Sequence, residues 1–335
     1  MPRRTSRPHS VLVVLLVLSG AARLATQEKS SNYEEELRNG DAYMQRHMFE
    51  QALQAYKHAY ALKDKSSYEA AVGMALAYRG LGAHKNVLDV SADGLKLAGD
   101  DKTHQAQMHN LRGVALVALA DKPNDKKLQE AETVFRAALA ANESLVAARL
   151  NLGIALLKMG RDEDGLRELK AYVEIAPPSP EVENARKMLA DPRRAREPFA
   201  PAFSFTSKDG EYVSLEDLAG KTVLLDFWGS WCGPCVASTP GLIKLRRKFA
   251  GQPVVFLGIA QDQEEQWRGY LGRHNMDWPQ YLDASRRVLR LFNVTAYPTY
   301  VVLDGDGIVR ARKSGYGSDT HAWLEREIKK TLKER

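Results

Sequence analysis

The sequence predicts two domains, an all-α array of repeated helices followed by an α/β domain. Three observations carry this prediction. Residues 31–176 are rich in alanine and leucine and contain a single proline, as expected for one helix after another. From residue 202 onward, short apolar runs alternate with helical segments, which is the pattern of buried strands in an α/β sandwich. The chain has 335 residues, more than one hydrophobic core normally supports.

The first 22 residues are predicted to be an export signal. Three arginines precede an apolar stretch at residues 11–18, and small residues at 19–22 offer a cleavage site. The stretch is short for a membrane anchor, which takes about 20 apolar residues. We therefore expect a cleaved signal and a mature protein in the periplasm or another extracytoplasmic compartment, with an uncleaved anchor as the alternative.

The charge of the chain points away from nucleic acid as a partner. The formal net charge is +6, and three of the positive charges are the arginines of the predicted signal. The rest of the chain has no basic run long enough to indicate a phosphate-binding surface.

Small residues recur at regular positions in the first domain. Gly40, Ala75, Gly113 and Gly153 follow one another at intervals of 35, 38 and 40 residues, with a large residue three positions after each. Small residues let two antiparallel helices approach closely, and large ones fill the groove between neighbouring pairs. The pattern resembles the tetratricopeptide repeat, which has a period of about 34 residues.

The resemblance covers about four repeats within residues 31–190, and it predicts a capping helix at 181–189. The second repeat is degenerate at Ser91, where a large residue is expected. The resemblance implies a tetratricopeptide solenoid whose concave surface binds a partner protein or peptide. An irregular helical bundle is the alternative.

Residues 191–201 are predicted to be the linker, because three prolines and three arginines in eleven residues favour an extended, exposed connection. The second domain, residues 202–335, is predicted to begin with a hairpin that turns at Asp209-Gly210. The remaining predicted elements are strands at 222–228, 253–260, 298–303 and 308–313 and helices at 234–250, 264–275 and 319–333.

The only two cysteines of the chain, Cys232 and Cys235, stand two residues apart in W-C-G-P-C. A disulfide between them would close a very short loop and stabilise the fold little, so a purely structural role explains the pair poorly. Cys232 follows a predicted strand and Pro234 opens the next helix, which places Cys232 at a helix N-terminus, where a thiolate is favoured. The sequence therefore predicts thiol–disulfide exchange, with Cys232 attacking and Cys235 resolving.

The segment F-W-G-S-W-C-G-P-C resembles the active site of thioredoxin, and with D-G-x-x-x-S-L-x-D-x-x-G-K before it resembles the exported TlpA/ResA-type branch. The resemblance covers residues 198–333. It implies an α/β thioredoxin-fold domain with thiol–disulfide oxidoreductase activity on protein substrates. The Gly233-Pro234 dipeptide resembles that of the reducing members, which implies a protein-disulfide reductase supplied by an electron donor outside the cytoplasm.

The resemblance also implies roles for further residues. Asp226, six positions before Cys232, matches the buried aspartate that moves the proton of the resolving cysteine. Tyr297-Pro298-Thr299 matches the cis-proline loop, where Tyr297 would pair with the substrate backbone. The implied catalytic set is Cys232, Cys235, Asp226 and Pro298, and the implied substrate-binding set is Trp231, Gly233, Pro234, Tyr297 and Thr299.

Other readings of the cysteine pair fit the sequence less well. A zinc site needs four ligands, and haem attachment needs a histidine where Val236 stands. We therefore expect neither a metal nor another cofactor. Two functional alternatives stay open: a repeat-based adaptor with a secondary redox domain, and a disulfide oxidase or isomerase that uses the same residues, because the direction of exchange depends on a redox potential.

Overall fold

The computed structural model describes residues 30–334, so the predicted signal at residues 1–22 lies outside the described residues. The chain divides into two compact units between Arg196 and Glu197, called unit 1 and unit 2 below. Among the described residues, no helix combines the length and the apolar character needed to cross a bilayer.

The described part of unit 1, from residue 30 onward, is built of helices, and each one packs mainly on the next along the chain. The first helices of successive pairs also touch one another, as they do in a solenoid of helix pairs. The predicted repeat array is thereby confirmed. Its helices are α1 (residues 30–45), α2 (Phe49–Leu62), α3 (Tyr68–Gly80), α4 (His84–Ala98), α5 (Lys102–Ala118), α6 (Lys126–Ala141), α7 (Val146–Lys158), α8 (Asp162–Ile175) and α9 (Pro180–Ala190).

Glycines allow the two helices of a pair to lie close together. A Cβ atom added to Gly113 of α5 would lie 2.4 Å from the ring of Phe135 in α6. A Cβ atom at Gly40 of α1 would lie 2.5 Å from the ring of Tyr56 in α2. Such distances are far below van der Waals contact, so the aromatic ring occupies the space that a side chain on the facing helix would need.

The degenerate second repeat is completed by a residue of the third. Ser91 is small and fully buried, and its hydroxyl donates to the backbone carbonyl of Leu88. Met108 of α5 is also fully buried and lies against Gly94, where an added Cβ atom would be 2.4 Å from the methionine methyl group. The flexible methionine fills an irregular gap in the core.

The prediction of an extended connection over residues 191–201 is wrong for its first half. Residues Pro192–Ala195 form a 3-10 helix, and Ala195 is buried in the apolar cluster around Leu157. The physical reason is a cap, since the Asp191 carboxylate accepts a hydrogen bond from the backbone N–H of Arg193. Proline is tolerated at the first position of such a turn, because its missing N–H would have no partner there.

Unit 2 contains a two-stranded hairpin and a five-stranded sheet with the order β5-β4-β3-β6-β7. Strand β3 is central and pairs in parallel with β4 and antiparallel with β6. The elements are β1 (Ser204–Thr206), β2 (Tyr212–Ser214), β3 (Thr222–Trp228), α10 (Gly233–Lys248), β4 (Val254–Ala260), α11 (Glu264–Arg273), β5 (Gln280–Leu282), α12 (Arg287–Leu291), β6 (Thr299–Leu303), β7 (Val309–Ser314) and α13 (Thr320–Lys333).

Both faces of the sheet are covered, which explains why β3 is apolar at nearly every position and buried throughout. Leu224 and Trp228 belong to a cluster with residues of α10, α11 and α13. Val223, Leu225 and Phe227 belong to a second cluster with residues of the hairpin and α12. Asp226 therefore lies on the face that carries α10.

Candidate active site

Cys232 and Cys235 are joined by a disulfide at the start of α10, with their Cα atoms 5.2 Å apart. Both residues are nearly covered, with exposed fractions of 5% and 3%. The two cysteines therefore differ little in exposure in the oxidised form. Both cysteines pack in the same cluster as Trp228 and Tyr300.

The local sequence explains why the pair sits at a helix N-terminus. Cys232 has an extended backbone and is the N-cap residue, and its Sγ accepts a hydrogen bond of 3.2 Å from the backbone N–H of Cys235. Pro234 lies in the first turn, where a proline fits a helix. The unpaired N–H groups of this turn favour negative charge on Cys232 Sγ when the disulfide opens.

Asp226 is the buried carboxyl behind this turn. The residue is 3% exposed, and its Oδ1 atom is buried and has no hydrogen-bond partner among residues 30–334. Its cross-strand neighbours are Gly258 on β4 and Tyr300 on β6. Burial raises the pKa of Asp226 to about 7, because the charged carboxylate loses its hydration there. A carboxyl of this kind takes up and releases a proton near neutral pH.

The loop before β6 carries the predicted cis-proline. The Tyr297–Pro298 peptide bond is cis, and Pro298 is buried. The carbonyl of Pro298 accepts a hydrogen bond of 2.7 Å from the backbone N–H of Gly315, which has a φ of +83°. This contact ties the loop to the segment between β7 and α13.

Trp231 and Tyr297 connect this loop to the cysteine turn. Their rings meet edge to face with centroids 5.3 Å apart. The indole N–H of Trp231 donates to the backbone carbonyl of Gln261, and 56% of the residue remains exposed. The structure therefore places an exposed aromatic ring directly before Cys232 in the chain.

The other predicted residues differ in their placement. Gly233 and Pro234 are exposed on the turn between the cysteines. Thr299 is fully buried, and its hydroxyl donates to the carbonyl of Ala296 and bonds Ser314 Oγ. The hydroxyl of Thr299 thus helps to hold the loop, and a contact between Thr299 and substrate stays a prediction.

The sequence reading missed a group of hydroxyls beneath the pair. Tyr300 Oη and Ser238 Oγ are 2.6 Å apart, and Ser238 Oγ lies 3.1 Å from His321 Nε2. The hydroxyl of Tyr270 donates to Thr239 Oγ1, which donates to the carbonyl of Cys235. In the sequence, the tyrosines and the serine look like ordinary core residues. The group could not be predicted, because its contacts join residues far apart along the chain.

The arrangement can perform a two-step exchange. Trp231, Gly233 and Pro234 are exposed next to Cys232, which is itself nearly covered in the oxidised form, and Cys235 and Asp226 are buried. Asp226 is thus held by β3, and Cys232 and Cys235 by the start of α10, two elements joined by a short loop.

Comparisons with known proteins agree with this geometry. Residues 194–331 match the family model described as Redoxin, and residues 125–189 match a tetratricopeptide repeat model. The chain is 34% identical over 114 residues to the thioredoxin-like protein YneN of Bacillus subtilis (strain 168), covering 33% of this chain and 66% of YneN, just under two thirds. It is 29% identical over 132 residues to the thiol-disulfide oxidoreductase ResA of Bacillus thuringiensis (strain Al Hakam), covering 39% of this chain and 75% of ResA.

A solved structure is also similar. It is a thiol:disulfide interchange protein of the thioredoxin family from Chlorobium tepidum TLS, with a TM-score of 0.38 and 28% identity, covering 41% of this chain and 97% of that one. The family models and the sequence relatives confirm both resemblances that the sequence predicts.

Proposed function

We propose, from the premise that the chain is a ResA-type, thioredoxin-like thiol–disulfide oxidoreductase with tetratricopeptide repeats, that the whole protein is an exported protein-disulfide reductase. The observation that carries the proposal is the Cys232–Cys235 disulfide at the N-terminus of α10 with the buried Asp226 behind it.

The reaction uses the three residues in order. The Cys232 thiolate attacks one sulfur of a substrate disulfide, and the other substrate sulfur leaves as a thiolate that takes a proton from water. Cys235 gives its proton to Asp226 and attacks Cys232 Sγ, which releases the second substrate sulfur as a thiolate that also takes a proton from water. The substrate gains two thiols, and the enzyme gains the disulfide that the structure contains.

The surroundings of Cys232 support the reducing direction. The donor to its Sγ is a neutral backbone N–H rather than a cationic side chain, and the two intervening residues, Gly233 and Pro234, carry no charge. A strongly stabilised thiolate would make the pair an oxidant, because it favours the reduced form of the protein. A modestly stabilised one suits a reductant, which a thiol donor outside the cytoplasm must then re-reduce.

The repeats support a second contact with a protein. Helices α3, α5 and α7 are neighbours, and the side-chain amide of Asn151 on α7 donates to Asn110 Oδ1 on α5. Repeat arrays of this kind bind a polypeptide on the surface lined by the first helix of each pair. We propose that this array holds the partner protein, while Trp231 and Tyr297 contact the segment that carries the substrate disulfide.

The test is the reduction potential of the Cys232–Cys235 pair in the mature protein, equilibrated with glutathione redox buffers and read by mass spectrometry of alkylated thiols. A potential near that of thioredoxin, about −270 mV, supports the reductase. A potential near that of the oxidant DsbA, about −120 mV, contradicts it and favours an oxidase or isomerase.

The adaptor alternative is separated by a double variant, Cys232→Ser with Cys235→Ser. If the protein is a reductase, this double variant loses all turnover of protein disulfides, and the cellular phenotype is lost with it. If the protein is an adaptor, the same variant still binds its partner and keeps the phenotype, since only the repeats are needed for binding.

A further inference from the structure

The segment that precedes Cys232 is held by the loop that follows β4. The backbone N–H of Gln261 donates to the carbonyl of Trp228 over 3.0 Å, which adds one hydrogen bond beyond the paired ends of β3 and β4. The loop at residues 261–263 therefore lies beside residues 229–231, the segment between β3 and the cysteine turn. Two further hydrogen bonds between these stretches join residues 32 and 30 positions apart along the chain.

Asp262 joins the two stretches through its carboxylate. Its Oδ2 atom accepts a hydrogen bond of 2.6 Å from the backbone N–H of Ser230, and its Oδ1 atom accepts one of 2.9 Å from the backbone N–H of Gln263. The second bond is local to the loop, whereas the first reaches the residue two positions before Cys232. A hydrogen bond to a carboxylate is stronger than one between neutral groups, so the bond to Ser230 fixes this segment.

Trp231 is held by the same loop. Its indole N–H donates to the carbonyl of Gln261 over 2.8 Å, and its ring meets that of Tyr297 edge to face with centroids 5.3 Å apart. Gly229 leaves the space that this arrangement needs, because a Cβ atom there would lie 2.6 Å from the indole nitrogen and 2.9 Å from the Gln261 carbonyl oxygen. The ring is thus fixed at its nitrogen while 56% of the residue is exposed.

A ring that is fixed before binding costs less to bind than a mobile one. A side chain that becomes ordered only in the complex loses conformational entropy there, and one that is ordered beforehand does not lose it again. Trp231 lies on a turn, outside helix and strand, so its orientation depends on the hydrogen bonds to the neighbouring loop. Removing the bond between Asp262 and Ser230 would free the segment and the ring with it.

We propose that Asp262 is a positioning residue for the reduction of protein disulfides, which holds residues 229–231 so that the Trp231 ring stays against Tyr297 and binds the substrate chain. The inference rests on the proposed function, in which Trp231 and Tyr297 contact the substrate. Asp262 takes no part in the chemistry of the cysteines. It acts on the binding of a polypeptide and leaves the exchange itself unchanged.

Asp304 provides a matched control in the same unit. Its Oδ1 atom also accepts hydrogen bonds from two backbone N–H groups, those of Asp306 and Ile308, and so holds the turn between β6 and β7. It directly follows Leu303, at the end of β6 opposite to the cis-proline loop. Asp304→Ala therefore removes a loop-holding carboxylate at the other end of the strand from the loop that contacts Trp231.

The first measurement follows the indole N–H of Trp231 by NMR in the oxidised mature protein, with Trp231→Phe used to assign the signal. We expect Asp262→Ala to speed the exchange of this N–H with solvent by about tenfold or more, because its bond to Gln261 opens more often. Asp262→Asn keeps an acceptor for Ser230 and should stay near the wild type, as should Asp304→Ala. Asp262 is partly exposed and lies outside both apolar clusters of unit 2, so its replacement leaves the core intact.

The second measurement compares two disulfides as oxidants of the reduced mature protein. One is a synthetic disulfide-bridged peptide, and the other is hydroxyethyl disulfide, which has no polypeptide chain. Oxidation of the cysteine pair is followed by acid quenching, alkylation and mass spectrometry over a range of peptide concentrations. This series separates the peptide concentration at half-maximal rate from the maximal rate.

We expect Asp262→Ala to raise the peptide concentration at half-maximal rate by about tenfold, because the ring must be ordered on binding. The maximal rate and the rate with hydroxyethyl disulfide should stay within about twofold of the wild type. Asp262→Asn should restore most of the peptide binding, and Asp304→Ala should change none of these quantities.

Variants of Trp231 test whether Asp262 acts through the ring. Trp231→Ala is expected to raise the peptide concentration at half-maximal rate as well. The double variant Asp262→Ala with Trp231→Ala should be no worse than Trp231→Ala alone, since the ring that Asp262 positions is then absent.

Three results would overturn the positioning role and leave the proposed function in place. They are unchanged peptide binding in Asp262→Ala, an equal loss of rate with hydroxyethyl disulfide, and additive losses in the double variant. A wild-type protein that does not reduce the peptide would overturn the proposed function and the inference together.

Discussion

The proton on the buried Asp226 carboxyl should affect the stability of unit 2 and also takes part in the proposed reaction. Burial raises its pKa from 3.8 to about 7. In the unfolded chain the carboxyl ionises near pH 4, so between about pH 4 and pH 7 the folded state holds a proton that the unfolded state has lost. The stabilisation is complete below pH 4, falls as the pH rises and is lost above pH 7.

Replacing Asp226 with asparagine should remove this pH dependence. Asp226→Asn is expected to match the wild type near pH 4 and to be more stable at pH 8, by on the order of 4 kcal/mol as an upper limit. Urea unfolding of the oxidised proteins at both pH values, followed by tryptophan fluorescence, measures the difference. If the difference in free energy of unfolding between the two proteins were the same at both pH values, Asp226 would ionise normally in the folded state.

The same variant should exchange disulfides more slowly. Without a carboxylate to accept the proton of Cys235, we expect the resolving step of Asp226→Asn to be slower by about a hundredfold at pH 7. The initial attack by Cys232 should change much less, because it does not need that proton. An equal loss in both steps would assign the effect to a distorted turn instead.

The two cysteines should fail in different ways when each is replaced. Cys235→Ala is expected to accumulate a mixed disulfide between Cys232 and substrate, because the resolving thiol is missing. Cys232→Ala should form no such adduct, because Cys232 and not Cys235 holds the N-cap position, where the helix N-terminus favours a thiolate. Non-reducing electrophoresis and mass spectrometry distinguish the two, and an adduct on Cys235 would reverse the assigned roles.

At the scale of elements, close packing between helices governs unit 1. An alanine at Gly113 would bring its Cβ atom 2.4 Å from the Phe135 ring, so α5 and α6 would have to move apart. We expect Gly113→Ala to destabilise unit 1 by about 1–3 kcal/mol, the usual result of overpacking, although alanine favours helix.

Gly269 in α11 is the control for this substitution. A Cβ atom there would lie 3.5 Å from a flexible Arg273 side chain, an ordinary contact distance. Gly269→Ala should therefore stabilise unit 2 by about 0.5–1 kcal/mol through helix propensity alone. Thermal unfolding followed by circular dichroism tests both signs, and stabilisation by Gly113→Ala would show that the helix pair can move apart freely.

At the scale of the whole molecule, the two units have separate cores. Two apolar clusters lie wholly in unit 2, and the clusters of unit 1 end at Ala195. All five tryptophans of the chain belong to unit 2. We therefore expect tryptophan fluorescence to follow one urea transition, while circular dichroism, to which the helices of unit 1 also contribute, follows two.

The variants above supply the control for this prediction. Asp226→Asn at pH 8 should shift the transition of unit 2, which fluorescence follows, and leave the transition of unit 1 in place. Gly113→Ala should shift the transition of unit 1 and leave that of unit 2 in place. A single transition shared by both probes and moved by both variants would mean that the units unfold cooperatively.

The sequence by itself determined the features that depend on neighbouring residues. The small-residue period predicted the helix pairs of unit 1, and the apolar run of β3 predicted a strand buried on both faces. The position of Cys232 before Pro234 predicted a helix N-terminus, because capping is local chemistry. The strand β5 and the helix α12 were missed, since three and five residues are too few to show a period.

Only the tertiary structure decided which distant groups meet. Ser238 is 62 residues from Tyr300 and 83 residues from His321, yet their polar atoms lie within hydrogen-bond distance. The burial of Thr299 and the unpartnered Oδ1 of Asp226 likewise depend on what covers them. The physical reason is that hydrogen-bond partners and desolvation are set by packing between elements, which no local pattern of residue types encodes.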